Sequence, residues 1–175
     1  MHENTAMGYD TGIIRPEMRD ESVRLRAAAA SAADLALIRK GLLTLHTLEL
    51  MAVNIYKYQI TRESSELNRA LIAAMCNEMT HLQDFQVKLY EYGWHPAWFR
   101  WAYGIVGWCF GTFSRLMGPE TILKTDVWVE MKAVHHYGEL LGTIPWDDDT
   151  RAIVEKNQAD EYGHVERWKG MLGGA

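Results

Sequence analysis

The amino-acid sequence predicts an all-α protein: four long helices, with an apolar helical insert between the second and the third. Three observations carry this. From Ser31 onward apolar residues recur every three or four positions, as in Leu35, Ile38, Leu42 and Leu45, which is the period of one helix face. No stretch reads as a strand, because none alternates apolar and polar residues over strand length. Clear breaks fall only at RESSE, near Gly93, at Gly118-Pro119 and at GTIPWDDD. The length, 175 residues, is that of one ordinary domain, and with 48% hydrophobic and 23% charged residues the chain can bury a real core.

The elements follow in order. Residues 1–30 are polar, then Ala-rich, and are expected to form a partly disordered arm ahead of a single domain over 31–175. Helix 1 is expected over 32–61. Ser64 or Ser65 can accept a backbone N–H and start helix 2, over 66–92, with Gly93 as its stop. Residues 96–118 differ in character: three Trp, four Gly, and an uncharged run between Arg100 and Arg115 that is too short to span a bilayer. This insert reads either as a buried core segment or as an interfacial one, lying on a membrane or roofing an apolar pocket. Pro119 is well placed as the first residue of helix 3, over 119–142. The Asp run 147–149 supplies a cap and a favourable charge for helix 4, over 150–171.

Composition excludes several classes. Two cysteines, Cys76 and Cys109, make neither a disulfide scaffold nor a Cys-rich zinc module, and both read as buried apolar fillers. A net charge of −5 argues against a nucleic-acid partner. The N-terminus has no apolar signal region, so a cytoplasmic location is expected, with peripheral contact at the inner membrane face through residues 96–118.

Two Glu-x-x-His motifs carry the chemistry: Glu78 to His81 and Glu161 to His164. Their surroundings match position by position, Asn77-Glu78-x-x-His81-Leu82-Gln83-x-Phe85 against Asp160-Glu161-x-x-His164-Val165-Glu166-x-Trp168. Upstream, Glu49-x-x-Ala52-Val53-x-x-Tyr56 matches Glu130-x-x-Ala133-Val134-x-x-Tyr137. The chain therefore reads as a duplicated helical hairpin. Glu49 lies 29 residues before Glu78, and Glu130 lies 31 before Glu161. That distance is half a helix, a tight turn and half a helix, each half ~20 Å long, so the lone Glu faces its partner motif near mid-height. Positions i and i+3 share a helix face. A Glu from each of two helices and Glu-x-x-His from each of the other two is the donor set of ferritin-like dinuclear carboxylate proteins. Such a set suits iron, with manganese as the second choice, and Glu130 is expected to bridge the two ions.

The competing reading is a set of structural ion pairs. Glu49 and Glu130 sit in apolar surroundings, where a lone carboxylate costs several kcal/mol to desolvate. Lys57 and Lys132 would have to turn inward to neutralise them, whereas two cations neutralise all four carboxylates together. Other residues stay open. His46 shares a face with Glu49 and can support the metal or fill the core. Tyr137 and Tyr56, seven residues after Glu130 and Glu49, can be packing groups or proton and redox groups. Glu66, Glu91 and Glu155 read as solvated.

At these residues the sequence resembles the demethoxyubiquinone hydroxylase family, the ferritin-like di-iron hydroxylases of ubiquinone biosynthesis. The stretches that carry it are Val129-Glu130 with Ala133, His135-His136-Tyr137, then Glu78 to Phe85, Glu161 to His164, and His46 with Ile55-Tyr56 around Glu49. The resemblance implies two iron ions held by Glu49, Glu78, His81, Glu130, Glu161 and His164. It implies dioxygen-dependent hydroxylation of a quinone-like substrate, with NADH as reductant and His136 and Tyr137 along the route for electrons and protons. Leu48 and Met51 stand where the family usually has glycine and should narrow the pocket beside the metals. The family's usual C-terminal apolar extension is expected to be lacking after Ala175. The expected function is thus a quinone-directed di-iron monooxygenase, with an iron-oxidising or peroxide-handling ferritin-like protein as the alternative. Homo-oligomers are compatible with either.

Overall fold

The computed structural model describes residues 23–26 and 31–174. Most of the expected N-terminal arm lies outside the described residues. The described residues form five helices joined by short loops: α1 (Ala32–Gln59), α2 (Glu66–Glu91), α3 (Arg100–Met117), α4 (Pro119–Thr143) and α5 (Asp148–Gly173). Among the described residues there is no strand. Side-chain caps set three starts: the Ser31 hydroxyl accepts from Asp34 N, Ser65 from Asn68 N, and the Asp147 carboxylate from Thr150 N. Gly93 ends the α2 turn at φ 72°, and Gly118 at φ 99° is the sole hinge between α3 and α4, with Pro119 opening the next helix.

Helices α1 and α2 pack as one hairpin and α4 and α5 as the other, and the two hairpins close on each other through α1–α4 and α2–α5. Two apolar layers fill the bundle. One holds Leu42, Leu45, Phe85, Leu89, Tyr137 and Trp146, the other Tyr56, Leu71, Ala74, Ile122, Leu123 and Trp168. The charged motif residues are buried in this same bundle.

The insert α3 is a full helix, and its orientation excludes the buried-core reading. Its buried residues are only Gly107, Gly111 and Ser114. A Cβ on Gly107 would lie 2.4 Å from the Met51 carbonyl oxygen, and one on Gly111 would lie 2.4 Å from that of Ile55. The helix therefore meets α1 backbone to backbone. Its large side chains, among them Trp101, Trp108, Phe113 and Leu116, are exposed. No helix among the described residues is long and apolar enough to cross a membrane.

Residues 23–26, expected as part of a loose arm, are tied to the far end of the bundle. The Arg26 guanidinium donates to Asp147, Asp149 and Glu91, and the Lys88 ammonium donates to Glu91 at 2.7 Å. Glu91 is consequently 3% exposed rather than solvated. These charges hold Arg26 well above its ordinary value: burial opposes the charge, but the carboxylates of Asp149, Glu91 and Asp147 outweigh it. Glu66 and Glu155 do face solvent. Cys76 and Cys109 are exposed, not buried fillers, because each sits on the outer face of its helix.

Candidate metal centre

Helical spacing puts Glu78 and His81 on one face of α2, and Glu161 and His164 on one face of α5. Glu49 comes from α1 and Glu130 from α4. All six side chains are buried, His164 the least so at 8%. The structure brings them together as two overlapping groups, Glu49, Glu78, His81 and Glu161, and Glu78, Glu130, Glu161 and His164. Within each group one ligand atom per residue lies within 4.8 Å of the others.

The overlap assigns roles. Glu78 turns Oε2 to His81 Nδ1 at 3.3 Å and Oε1 to His164 Nδ1 at 2.9 Å. Glu161 does the same, with Oε1 3.2 Å from His81 Nδ1 and Oε2 3.5 Å from His164 Nδ1. Each of these two carboxylates thus offers one oxygen to each position. Glu49 lies only on the His81 side, at 3.7 Å, and Glu130 only on the His164 side, at 3.6 Å. This corrects the expectation that Glu130 bridges: the carboxylates that face both imidazoles are those of the Glu-x-x-His motifs, because i,i+3 spacing sets each beside its own histidine and the packing of α2 against α5 brings it to the other.

A structural ion-pair reading fails on the donors available. Lys57 and Lys132 are exposed and neutralise neither Glu49 nor Glu130. Both oxygens of Glu78, both of Glu161, and Nδ1 of His81 and His164 are buried and face only other groups of the cluster, with no well-formed hydrogen bond from outside it. Buried polar atoms are normally paired. Six that converge with no outside partner, four hard oxygens and two imidazole nitrogens, fit a pair of divalent cations such as iron.

The clustered carboxylates and imidazoles shift one another. Burial alone would lower both imidazoles, but the surrounding carboxylates outweigh it. His164, beside Glu130, Glu161 and Glu78, is pushed up to about 12, and His81, beside Glu161, Glu49 and Glu78, is raised well above its ordinary value. Glu49 and Glu130 are raised well above the carboxylate range, chiefly by burial and then by the neighbouring carboxylates. Glu78 is held below its ordinary value: burial would raise it, but the two imidazolium groups outweigh burial.

The surrounding shell crosses the bundle. Tyr137, open between packing and a proton or redox role, donates its hydroxyl to Glu49 Oε1, and Tyr56 donates to Glu130 Oε1. Asp160 Oδ2 lies 3.1 Å from His81 Nε2, a contact that orients the ring; its sequence signal was its place directly before Glu161. His46 is buried but joins neither group, and its Nε2 lies 3.5 Å from Gln86. His136 is half-exposed; its Nδ1 faces Glu139 at 3.4 Å and its Nε2 is buried without a partner. His135 is exposed beside the same glutamate.

A cavity of about 310 Å³ opens on Glu49, Glu78, Glu130 and Glu161. Its walls are mostly apolar, with Leu48, Met51, Ala52, Trp128, Val129 and Ala133, and His136 is among its lining groups. Leu48 and Met51 do stand against this space. Trp128 stacks on Phe110 of α3, ring centroids 6.0 Å apart and planes 1° from parallel, so the exposed apolar face of α3 adjoins the cavity.

The family profile described as "Ubiquinone biosynthesis protein COQ7" matches residues 37–168. The chain belongs to the COQ7 family. Among curated proteins it is similar to the 3-demethoxyubiquinol 3-hydroxylase of Nitrosospira multiformis, 29% identical over 127 residues, covering 69% of this chain and 59% of that protein. It is similar also to the enzyme of the same name from Pseudomonas putida, 27% identical over 123 residues, covering 69% of this chain and 57% of that protein. The matched region thus spans less than three-fifths of these relatives' length. The COQ7 match encloses all six metal-ligand candidates as well as α3.

Proposed function

We propose that this COQ7-family chain is a di-iron, dioxygen-dependent hydroxylase of a quinol-type aromatic substrate, the activity named for its two relatives. The observation that carries the reading is the apolar cavity ending on the four carboxylates. An iron-oxidising protein needs a hydrated, charged route for its ion. A hydroxylase needs a dry slot that admits an aromatic ring and excludes water.

Glu49, Glu78, Glu130, Glu161, His81 and His164 would hold the two iron ions, with manganese the second candidate on ligand chemistry. When bound, the ions supply the electrons and the site at which dioxygen is reduced. The residues of the chain do the rest. Leu48, Met51, Trp128 and Val129 grip the ring and keep out water. His136 offers an unpaired buried nitrogen at the cavity wall to a ring oxygen. Tyr137 holds Glu49 in place and can pass a proton to it. NADH is the reductant on the resemblance of His136 and Tyr137 to the family's electron route. The exposed aromatic face of α3 rests on the membrane interface, so that an apolar substrate enters beside Trp128 without crossing water.

The test loads the protein anaerobically with ferrous ion, adds a short-tailed demethoxyubiquinol, and admits isotopically labelled dioxygen. One labelled oxygen in the ring product is the expected result. Iron oxidation without product, in the presence of saturating quinol, would return the protein to the iron-handling class.

A further inference from the structure

The duplicated halves are alike in their ligands but not in what stands behind them. Seven residues after Glu78 the first motif has Phe85, and seven after Glu161 the second has Trp168. Both are fully buried, each against the tyrosine, from the other hairpin, that serves the terminal carboxylate of its own half. Phe85 lies 6.1 Å from the Tyr137 ring, centroid to centroid, and Trp168 lies 5.8 Å from that of Tyr56. Only Trp168 adds a hydrogen bond: its indole N–H donates to the Tyr56 hydroxyl at 3.0 Å.

This one bond fixes a direction. An indole N–H only donates, so the Tyr56 oxygen must accept, and its single proton is left to point at Glu130 Oε1. To turn away, Tyr56 would have to leave the indole N–H unpaired in a dry core. Tyr137 has no such constraint, because Phe85 gives its oxygen nothing to accept. Its hydroxyl can follow Glu49 or release it.

We propose that Trp168 is a positioning residue that acts through Tyr56 to lock Glu130, so that one of the two metal positions is held rigidly and the other, beside Glu49, is free to rearrange. The proposal rests on the dinuclear reading of the site. Asp160 backs His81 in the Glu49 half, but it touches neither Glu130 nor Tyr56, so the effect of Trp168 stays confined to the Glu130 half.

The test follows release of ferrous ion from the loaded protein to an excess of chromogenic chelator, anaerobically, with stoichiometry measured first. Wild-type protein should release two ions in two phases. Trp168→Phe, which keeps an aromatic ring but removes the N–H, should speed one phase about tenfold or more and leave the other unchanged, the scale typical of an outer-shell partner of a metal ligand. Tyr56→Phe, a smaller change in the core, should reproduce it, and the double variant should add nothing further. In a Glu130→Ala background, where one ion remains, Trp168→Phe should not alter its release. Equal acceleration of both phases, or no change in Tyr56→Phe, would overturn the proposal. Fewer than two ions in the wild type would instead overturn the dinuclear reading, and this inference with it.

Discussion

Tyr137, on α4, donates its hydroxyl to Glu49, on α1, while Tyr56, on α1, donates to Glu130, on α4. Each hairpin therefore steadies the terminal carboxylate of the other, and the centre is assembled only when both hairpins are docked. The sequence duplication becomes a working pseudo-symmetry at this level, with consequences that can be measured.

Removing a shared carboxylate should differ in kind from removing a terminal one. Glu78→Ala takes an oxygen from both positions and should leave essentially no bound iron. Glu130→Ala should retain about one ion per chain, on the His81 side. Elemental analysis of anaerobically loaded, desalted protein checks this, and equal loss in both variants would mean that the positions are not separable.

Tyr137→Phe should keep the full metal content and lower turnover roughly a hundredfold, the lower end of what a positioned proton donor contributes. Iron content and steady-state product formation, measured on the same sample, separate this from a packing role, for which turnover would be unchanged.

Asp126 gives a pH dependence. It is buried, and burial raises its carboxyl to about 7; its hydrogen bond from Gln59 and the nearby His164 only partly counter this. A raised carboxyl binds its proton more tightly in the folded state than in the unfolded one. Stability from this group is therefore lost as pH rises from about 4 through about 7, at up to about 1.4 kcal/mol per pH unit. Asp126→Asn removes the titration. The melting temperature of the metal-free variant should gain on that of the wild type between pH 5 and 8, and parallel curves would exclude the effect.

Gly111→Ala should split α3 from α1. The added Cβ meets the Ile55 backbone, which cannot move without bending α1. A loss of about 1–3 kcal/mol in urea unfolding is expected. The same change at Gly142, where an added Cβ would point into open space, should be mild by comparison.

The outer face of α3 makes a separate prediction. Phe113→Asp should leave folding intact, since this ring is 63% exposed, but weaken sedimentation with anionic lipid vesicles. Unchanged sedimentation would remove the bilayer from the account.

The four bundle helices and their starts were legible because caps, glycines and a 3.6-residue period are local signals, and Ser65 and Pro119 mark their positions to within a residue. The convergence of Glu49, Glu78, His81, Glu130, Glu161 and His164 was legible from spacing and duplication alone. What spacing could not supply was orientation across the bundle. The Glu130 stripe on α4 includes Tyr137, yet the hydroxyl crosses to Glu49, because seven residues carry it two turns away from its own glutamate. Glu91 looked solvated, since nothing local announces that Arg26, far away in sequence, folds back over it. The exposure of Cys76 and Cys109 is hidden for a related reason: a small apolar residue carries no mark of which side of a helix it occupies.

Because α3 touches α1 through glycine and main chain, its bulky outward side chains contribute little to holding it there. They can adapt to whatever surface the protein must meet, lipid or another polypeptide, without altering the backbone contact with α1. A lineage can thus change where it works while keeping what it does.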